Sequence, residues 1–308
     1  MVFATYNRPA KVDALLSALA SQEYPRDSFE VIAVQDGDRC PLDEIVARRE
    51  ADLNLTLVRT ARRGPAGARQ AGIDQARGWA VALLDDDCAP APDWLWMLDR
   101  ALLNLDCRCA VGGFTVNALR RNVYSEASQI LVSYLYESLN VDPNHAQFFT
   151  TSNMVVPLAP LREMGGFDAG WPFAGGEDRD LCDRWIASGG RLVSVPDALV
   201  YHYHDMTFRS FLRQQFNYGL GSCEFHRARG RQSRRARPMG AKFYTGLFRY
   251  AWKNAQPHQR TFVGLLMAAS QAASLTGYAF RALGRAFPSV VASAAIDPAT
   301  ARARIARI

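Results

Sequence analysis

The chain has 308 residues, 49% of them hydrophobic and 21% charged, enough apolar material for a sizeable core and too much for global disorder. The net charge of +6 is unevenly spread: residues 1–224 carry 21 Lys and Arg against 29 Asp and Glu, whereas residues 225–308 carry 15 against one, Asp297. The six cysteines lack paired C-x-x-C spacing, which argues against a zinc ribbon or a disulfide framework, and residues 1–10 are too short and too polar for a secretory signal.

The opening "MVFAT" reads as a strand that begins at the first residue, as a start placed slightly too late would give. Residues 9–21 follow as a helix with Val12, Leu15, Leu16 and Leu19 on one face. "FEVIAVQD" (29–36) and "LTLVRT" (55–60) are the second and third strands, residues 65–77 a helix, and "WAVALLD" (79–85) a fourth strand. This rhythm predicts a parallel sheet with helices on both faces. Ligands of such sheets bind beyond the carboxyl ends of the strands, where Thr5, Asp36 and Asp85–Asp87 fall. Residues 93–104 read as a helix opened by Pro92 and capped by Asp93. The pattern then loosens: a helix over 122–140, a strand over 147–158, and a glycine-rich loop, "GWPFAGGEDRD" (170–180), feeding a helix that ends at Gly189-Gly190. Short strands follow in "RLVSVPDALVYHYH", then a helix over 205–224 and a linker or charged face in "HRARGRQSRRAR" (226–237).

Three consecutive aspartates, Asp85, Asp86 and Asp87, end the fourth strand with no Lys or Arg in the stretch 81–94 to neutralise them. Strand alternation directs Asp85 and Asp87 to one side. Two carboxylates on one side suit a hard divalent cation, Mg²⁺ or Mn²⁺, with open positions for phosphate oxygens. Helix capping is the plainer reading, but Pro90 and Pro92 separate the triplet from the helix and Asp93 is the better cap.

"TYNRP" (5–9), "VQDG" (34–37), "GPAGARQAG" (64–72), "LLDDD" (83–87), "GGFD" (165–168) and "GEDRDL" (176–181) occur in this order. This ordered set resembles the family 2 glycosyltransferases, inverting enzymes of the GT-A fold, over about residues 1–205. The resemblance implies an α/β protein in which a Rossmann-like nucleotide-binding half, with a mostly parallel sheet, joins an acceptor-binding half. Residues 1–224 would form that body (1–115 for the nucleotide sugar, 116–224 for the acceptor), and 225–308 a basic, helical extension. It further implies that Thr5, Tyr6, Asn7 and Arg8 form the first-strand turn that holds the nucleotide, and that Asp36 accepts the base's imino hydrogen. Gln35 replaces the acid that usually precedes that residue and contacts the ribose. Arg69 would lie near base and diphosphate. Asp85, Asp86 and Asp87 would form the DxD segment, with Asp87 the direct metal ligand. Asp178, beside Glu177, would be the catalytic base. At a helix start it also has the plain reading of an N-cap, and the helix end would lower its basicity unless burial or Glu177 raised it.

Of "YHYH" (201–204), His202 and His204 share one face of a strand. His204 either completes the metal site, as the resemblance implies, or packs beneath the loop. Ser152, Asn153 and Met154 match the family's acceptor-side strand. Trp171 and Phe173 either stack on a sugar or simply pack. "GPAGARQAG" lacks the Gly-Lys-Ser/Thr of a phosphate loop. The Gln-x-x-Arg-Trp motif of the family's processive synthases is absent, which favours transfer of a single sugar.

Residues 262–280 carry no charge and lie between Arg260 and Arg281. Their length just reaches a bilayer span. Ser270, Gln271, Ser274 and Thr276 argue instead for an interfacial or a soluble helix. With the arginines around it, residues 225–285 are expected to contact an anionic membrane surface. Nucleic acid is not expected, because no recognisable binding fold carries the arginines. The expectation is a cytoplasmic enzyme, peripheral on the inner face of a membrane. It would use Mn²⁺ or Mg²⁺ to move one sugar from a UDP or dTDP sugar to a glycan or lipid-linked acceptor in surface glycan or glycolipid biosynthesis. A sugar-phosphate nucleotidyltransferase is the rival enzyme. It should show a glycine-rich loop with lysine and arginine after the first strand, which "TYNRPAK" does not supply. A non-catalytic binding protein of the same fold would bind nucleotide without turnover.

Overall fold

The computed structural model describes residues 1–37, 41–171, 173–231 and 240–286. The strands are β1 (Val2–Thr5), β2 (Val31–Asp36), β3 (Leu55–Thr60), β4 (Ala80–Asp85), β5 (Cys88–Pro90), β6 (Cys109–Asn117), β7 (Met154–Pro157) and β8 (Arg191–His202). The α-helices are α1 (Pro9–Ala20), α2 (Asp43–Arg49), α3 (Gly64–Gln75), α4 (Trp94–Leu103), α5 (Val123–Leu139), α6 (Leu158–Glu163), α7 (Glu177–Ala187), α8 (Phe208–Arg231), α9 (Ala241–Asn254) and α10 (Arg260–Ala286).

The strands form one sheet in the order β3-β2-β1-β4-β7-β6-β8-β5. β1 to β4 pair parallel, as their alternation with helices requires. Beyond β4 the sheet is mixed: β7 is antiparallel to β4 and β6, β8 runs parallel to β6, and β5 is antiparallel to β8. Successive residues of a strand face opposite sides, and β2 shows the result: Ile32 and Val34 enter one core, Val31 and Ala33 the other. α1, α2 and α4 cover the second face with Leu15, Leu16, Ile45 and Trp94, while α3, α6 and α7 cover the first with Ala68, Leu161 and Trp185. Val12, Leu15, Leu16 and Leu19 are all buried, and Pro9 occupies the first turn of α1, where a missing N–H costs nothing.

Several expected boundaries move. Only Met154–Pro157 of 147–158 is strand; the residues before it are a loop. "RLVSVPDALVYH" is one strand of 12 residues rather than several short ones, with a register shift in its pairing partner between Gly112 and Phe114. Asp93 stands at the N-cap of α4, but its side chain accepts no capping bond. α8 runs through to Arg231 and so absorbs the first half of the segment read as a linker; residues 232–237 lie outside the described residues. A division at 224/225 falls inside α8, and one at 115/116 falls inside β6. Residues from both sides of 224 share a third core, in which Ala127, Ile130 and Phe211 meet Leu247, Val263 and Met267.

Candidate active site

Above the carboxyl ends of β1, β2 and β4 lies a cavity of about 1030 Å³, where open α/β sheets place their ligands. Thr5, Tyr6, Arg8, Asp36, Arg62, Arg63 and Arg69 line one end; Thr150–Ser152 and the α8 residues Ser210, Arg213, Gln214, Asn217 and Tyr218 line the other. Asp85, Asp86, Asp87, Glu177 and Asp178 lie along it.

The aspartate triplet meets its positive partners from elsewhere in the chain. β4 ends at Asp85 and the backbone turns at once, so strand alternation stops and the three side chains diverge. Asp85 accepts from Arg69 at 2.5 Å. Asp86 accepts from Thr5 Oγ1 at 2.6 Å and from Arg8 at 2.9 Å. Asp87 Oδ2 accepts from Lys11 at 3.0 Å and Arg8 at 3.2 Å, while its Oδ1 lies 2.9 Å from His202 Nε2. Burial alone would push Asp87 up. The hydrogen bond and charge of His202, with Lys11 and His204, outweigh it and hold Asp87 well below the usual carboxylate range. Asp86 is the reverse: burial raises it more than Arg8 lowers it.

The ligand set expected from the sequence, Asp85, Asp87 and His204, is therefore not the one the fold gathers. Antiparallel pairing sets Cys88 opposite His202, and Tyr203 N donates to Asp87 O at 2.8 Å, which brings His202 rather than His204 against Asp87. The His204 ring lies 5.1 Å from that of His202; burial, then the charge of His202, lower its pKa to about 4. Ligand atoms of Asp87, Cys88 and His202 fall within 4.8 Å of one another. Burial first, and the neighbouring aspartates after it, keep the Cys88 thiol protonated. The carboxylate and imidazole thus fit a hard divalent cation, and the thiol does not.

Arg69 is the hub between the strand tips and α7. It is buried on α3 and donates to Asp85 and, at 3.2 Å, to Glu177 Oε1. Burial opposes its charge, but these two carboxylates raise its pKa. Its Nε has no partner among the described residues. Glu177 Oε2 accepts from Gly175 N at 2.7 Å and so pins the Gly175-Gly176 turn, whose φ angles of 131° and 87° suit glycine alone. Glu177 thus braces this turn while lining the cavity. Asp178 follows at the start of α7, half-buried against the cavity, and among the described residues accepts only from its neighbour Arg179 N at 2.8 Å. Burial, then the negative charge of Glu177, raise Asp178 to about 7 despite its helix-start position.

Other expected residues divide. Tyr6 faces the cavity under the guanidinium of Arg62, 4.8 Å from its ring centroid. Asn7 is exposed with φ 56° and serves as the left-handed turn residue that ends β1. Asp36 accepts from Thr60 Oγ1 (2.7 Å), Arg63 N (2.6 Å) and Gly64 N (2.9 Å), and thereby holds the start of α3. Gln35 braces the following loop through Gly37 O and Leu42 N. Ser152 lines the cavity, but Asn153 does not: it is fully buried, accepts from Trp94 Nε1 at 2.9 Å and donates to the carbonyls of Phe114 and Ala198. Trp171 is buried too, with Nε1 donating to Gly175 O at 3.0 Å, and it lies in the cavity wall. Sequence reasoning missed Lys11, Arg213 and Thr115, whose buried hydroxyl has no partner among the described residues and sits in the cavity wall. The position of Lys11 on the polar side of α1, just past "TYNRP", was the available signal.

A half-parallel sheet with acidic strand tips, facing a helix start that holds a carboxylate near neutrality, defines a GT-A-type glycosyltransferase fold. The chain belongs to glycosyl transferase family 2, whose sequence profile matches residues 1–165. It is 34% identical over 232 residues to glycosyltransferase AglE of Haloferax volcanii, a match covering 73% of this chain and 72% of that one. It is 31% identical over 201 residues to the pre-mycofactocin glycosyltransferase of Mycobacterium tuberculosis, 62% of this chain but only 41% of that relative's length. Among solved structures, the mannosyltransferase PcManGT from Pyrobaculum calidifontis, in complex with GDP-Man and Mn²⁺, superposes with a TM-score of 0.60 at 23% identity, covering 92% of this chain and 78% of that one. Staphylococcus aureus TarS 1-349 reaches 0.51 at 16% identity over 92% and 90%. These structural likenesses are likenesses of fold.

Proposed function

We propose that the protein transfers a single sugar, with inversion, from a nucleoside-diphosphate sugar to an acceptor hydroxyl. The observation that carries this reading is Asp178: a carboxylate with its pKa raised to about 7, in one cavity with the acidic strand tip and the cationic end formed by Arg8, Arg62 and Arg63. A base poised near the working pH accepts a proton efficiently. The acceptor hydroxyl gives its proton to Asp178 while its oxygen forms a bond to the sugar's C1. The bond from C1 to the phosphate oxygen breaks on the opposite face, and its electron pair leaves with the diphosphate. A single displacement of this kind inverts C1.

The nucleotide would lie over Thr5, Tyr6 and Asp36, with Arg8, Arg62 and Arg63 near its phosphates. Asp36 and Arg69 shape this end, since they also hold the start of α3 and tie α3 to Asp85 and α7, and the Arg69 Nε–H has no partner among the described residues. Asp87 and His202 would hold Mn²⁺ or Mg²⁺, which when bound supplies Lewis-acid stabilisation of the leaving diphosphate. Ser152, Thr115 and the α8 wall present hydroxyls and amides on the side where the acceptor would enter. A UDP or dTDP sugar as donor, and a surface glycan or lipid-linked molecule as acceptor, complete the proposal.

The test is a donor screen over UDP-, dTDP- and GDP-sugars, following release of the nucleoside diphosphate with Mn²⁺, Mg²⁺ or a chelator. Metal-dependent turnover of one donor class is the expected outcome. Nucleotide binding without turnover in any combination would overturn the catalytic reading, and turnover indifferent to chelation would overturn the metal's role.

A further inference from the structure

α10 is amphipathic in an unusual sense. Val263, Leu266, Met267 and Ser270 on one face are buried against the third core. The opposite face is solvent-exposed yet carries Phe262, Leu265, Ala268, Ala272 and Leu275 in succession. Leu265 is 64% and Leu275 70% exposed. No Asp, Glu, Lys or Arg occurs from residue 261 to residue 280, so this outer face is uncharged over roughly 30 Å of helix. A helix face meant for water carries charges; this one carries none, although Thr261 and Thr276 are exposed on it.

α9 shows the complementary half of the pattern. Tyr244, Phe248 and Trp252 recur every four residues and are all exposed, Trp252 by 57%. At 100° per residue, Lys242, Arg249 and Lys253 fall together about a third of a turn from these aromatics, opposite the inward face. Leu247 and Ala251 face inward. Residues 240–286 hold six Lys and Arg and no carboxylate. The helix pair thus offers aromatic rings, bare aliphatic side chains and cations, but no anion.

We infer that α9 and α10 dock on an anionic lipid surface, Trp252, Phe248, Leu265 and Leu275 entering the headgroup boundary while Arg249 and Lys253 meet the lipid phosphates. Exposed aromatics and aliphatics beside Lys and Arg are the composition of an interfacial element. No helix among the described residues is long and apolar enough to cross a membrane, and the buried face of α10 is committed to the protein core, so the pair lies on the surface rather than spanning it. A second copy of the chain is the competing occupant. A two-fold contact would bring like patches together, setting Lys242, Arg249 and Lys253 of one copy near those of the other, and residues 240–286 supply no carboxylate to pair them.

The inference stands apart from the sugar-transfer reading, and its test reads binding rather than turnover. Full-length protein is sedimented with vesicles of phosphatidylcholine alone or mixed with phosphatidylglycerol, at low and high salt. The expected result is binding to the anionic vesicles, at least about tenfold weaker to neutral ones and weakened by salt. Arg249→Glu with Lys253→Glu, and separately Leu265→Asn with Leu275→Asn, should each abolish it while leaving the thermal transition in place. Equal partitioning with both vesicle types, or unchanged binding by a folded variant of either pair, overturns the inference. So does a stable dimer in sedimentation velocity that the leucine pair dissociates.

Discussion

At the start of α7 a carboxylate ordinarily ionises easily, because the helix end favours negative charge. Asp178 escapes that influence through burial and the adjacent Glu177, whose own oxygens are fixed by Arg69 and Gly175. As a base Asp178 must be ionised, so kcat/KM should rise as pH increases through about 7 and level off above it. Asp178→Asn should lower transfer by roughly 10²–10⁴-fold with nucleotide binding retained; full activity in that variant would remove the residue as base. The same shift has a sign for stability. A carboxyl whose folded pKa lies above its unfolded value contributes stability that is complete below about 4 and lost as pH rises through about 7. Asp178→Asn should therefore melt above the wild type at pH 8, with the gain gone at pH 4, as thermal scans at the two pH values would show. Arg69→Ala strands two carboxylates, the buried Glu177 and Asp85, which is 30% exposed at the cavity. It should cost about 3 kcal/mol, read as a shifted denaturant midpoint.

Among the elements, β8 and the α8–α10 pair do the placing. β5 and β8 run antiparallel in a register that seats His202 on Asp87. α8 and α10 approach backbone to backbone: a Cβ at Gly277 would collide with the Phe216 carbonyl, and one at Gly219 with the Ser274 carbonyl. Gly221, two residues further and on the other side of α8, lies against the carbonyl of Gly175, in the turn that presents Glu177 and Asp178. Gly277→Ala should lower stability by about 1–3 kcal/mol, seen in Tm. Gly221→Ala should act chiefly on kcat, because the displaced neighbour is the turn that carries the base. Equal kcat at reduced Tm would show that the turn tolerates the shift.

For the molecule as a whole, the basic C-terminal helices are part of the body. Leu247, Ala251, Val263, Leu266 and Met267 fill a core with α5 and α8, so a chain ending at residue 224 would bare Ala127, Ile130, Tyr134 and Phe211. Such a truncation should aggregate or elute as soluble oligomers in size-exclusion chromatography. A monomer with a cooperative melt would show the helices to be dispensable to the fold. The acidic first 224 residues and the carboxylate-free α9 and α10 therefore meet within one packed unit.

The alternation of apolar residues made β1 to β4 and their helices legible, because a strand or an amphipathic helix declares its buried face in local spacing. The ordered motifs likewise brought Thr5, Asp36, Arg69, Asp85, Asp87 and Asp178 toward one crevice, since parallel strands carry their carboxyl ends to a common edge. What the sequence by itself determined is thus the class of fold, the acidic strand tip and the split of charge along the chain. Which cation answers which aspartate, that His202 and not His204 reaches Asp87, and that Asn153 and Glu177 brace the fold were decided only by the tertiary structure. These depend on contacts between residues that are from 16 positions (Arg69 to Asp85) to 115 positions (Asp87 to His202) apart, and local spacing carries no record of the turns and registers that bring them together.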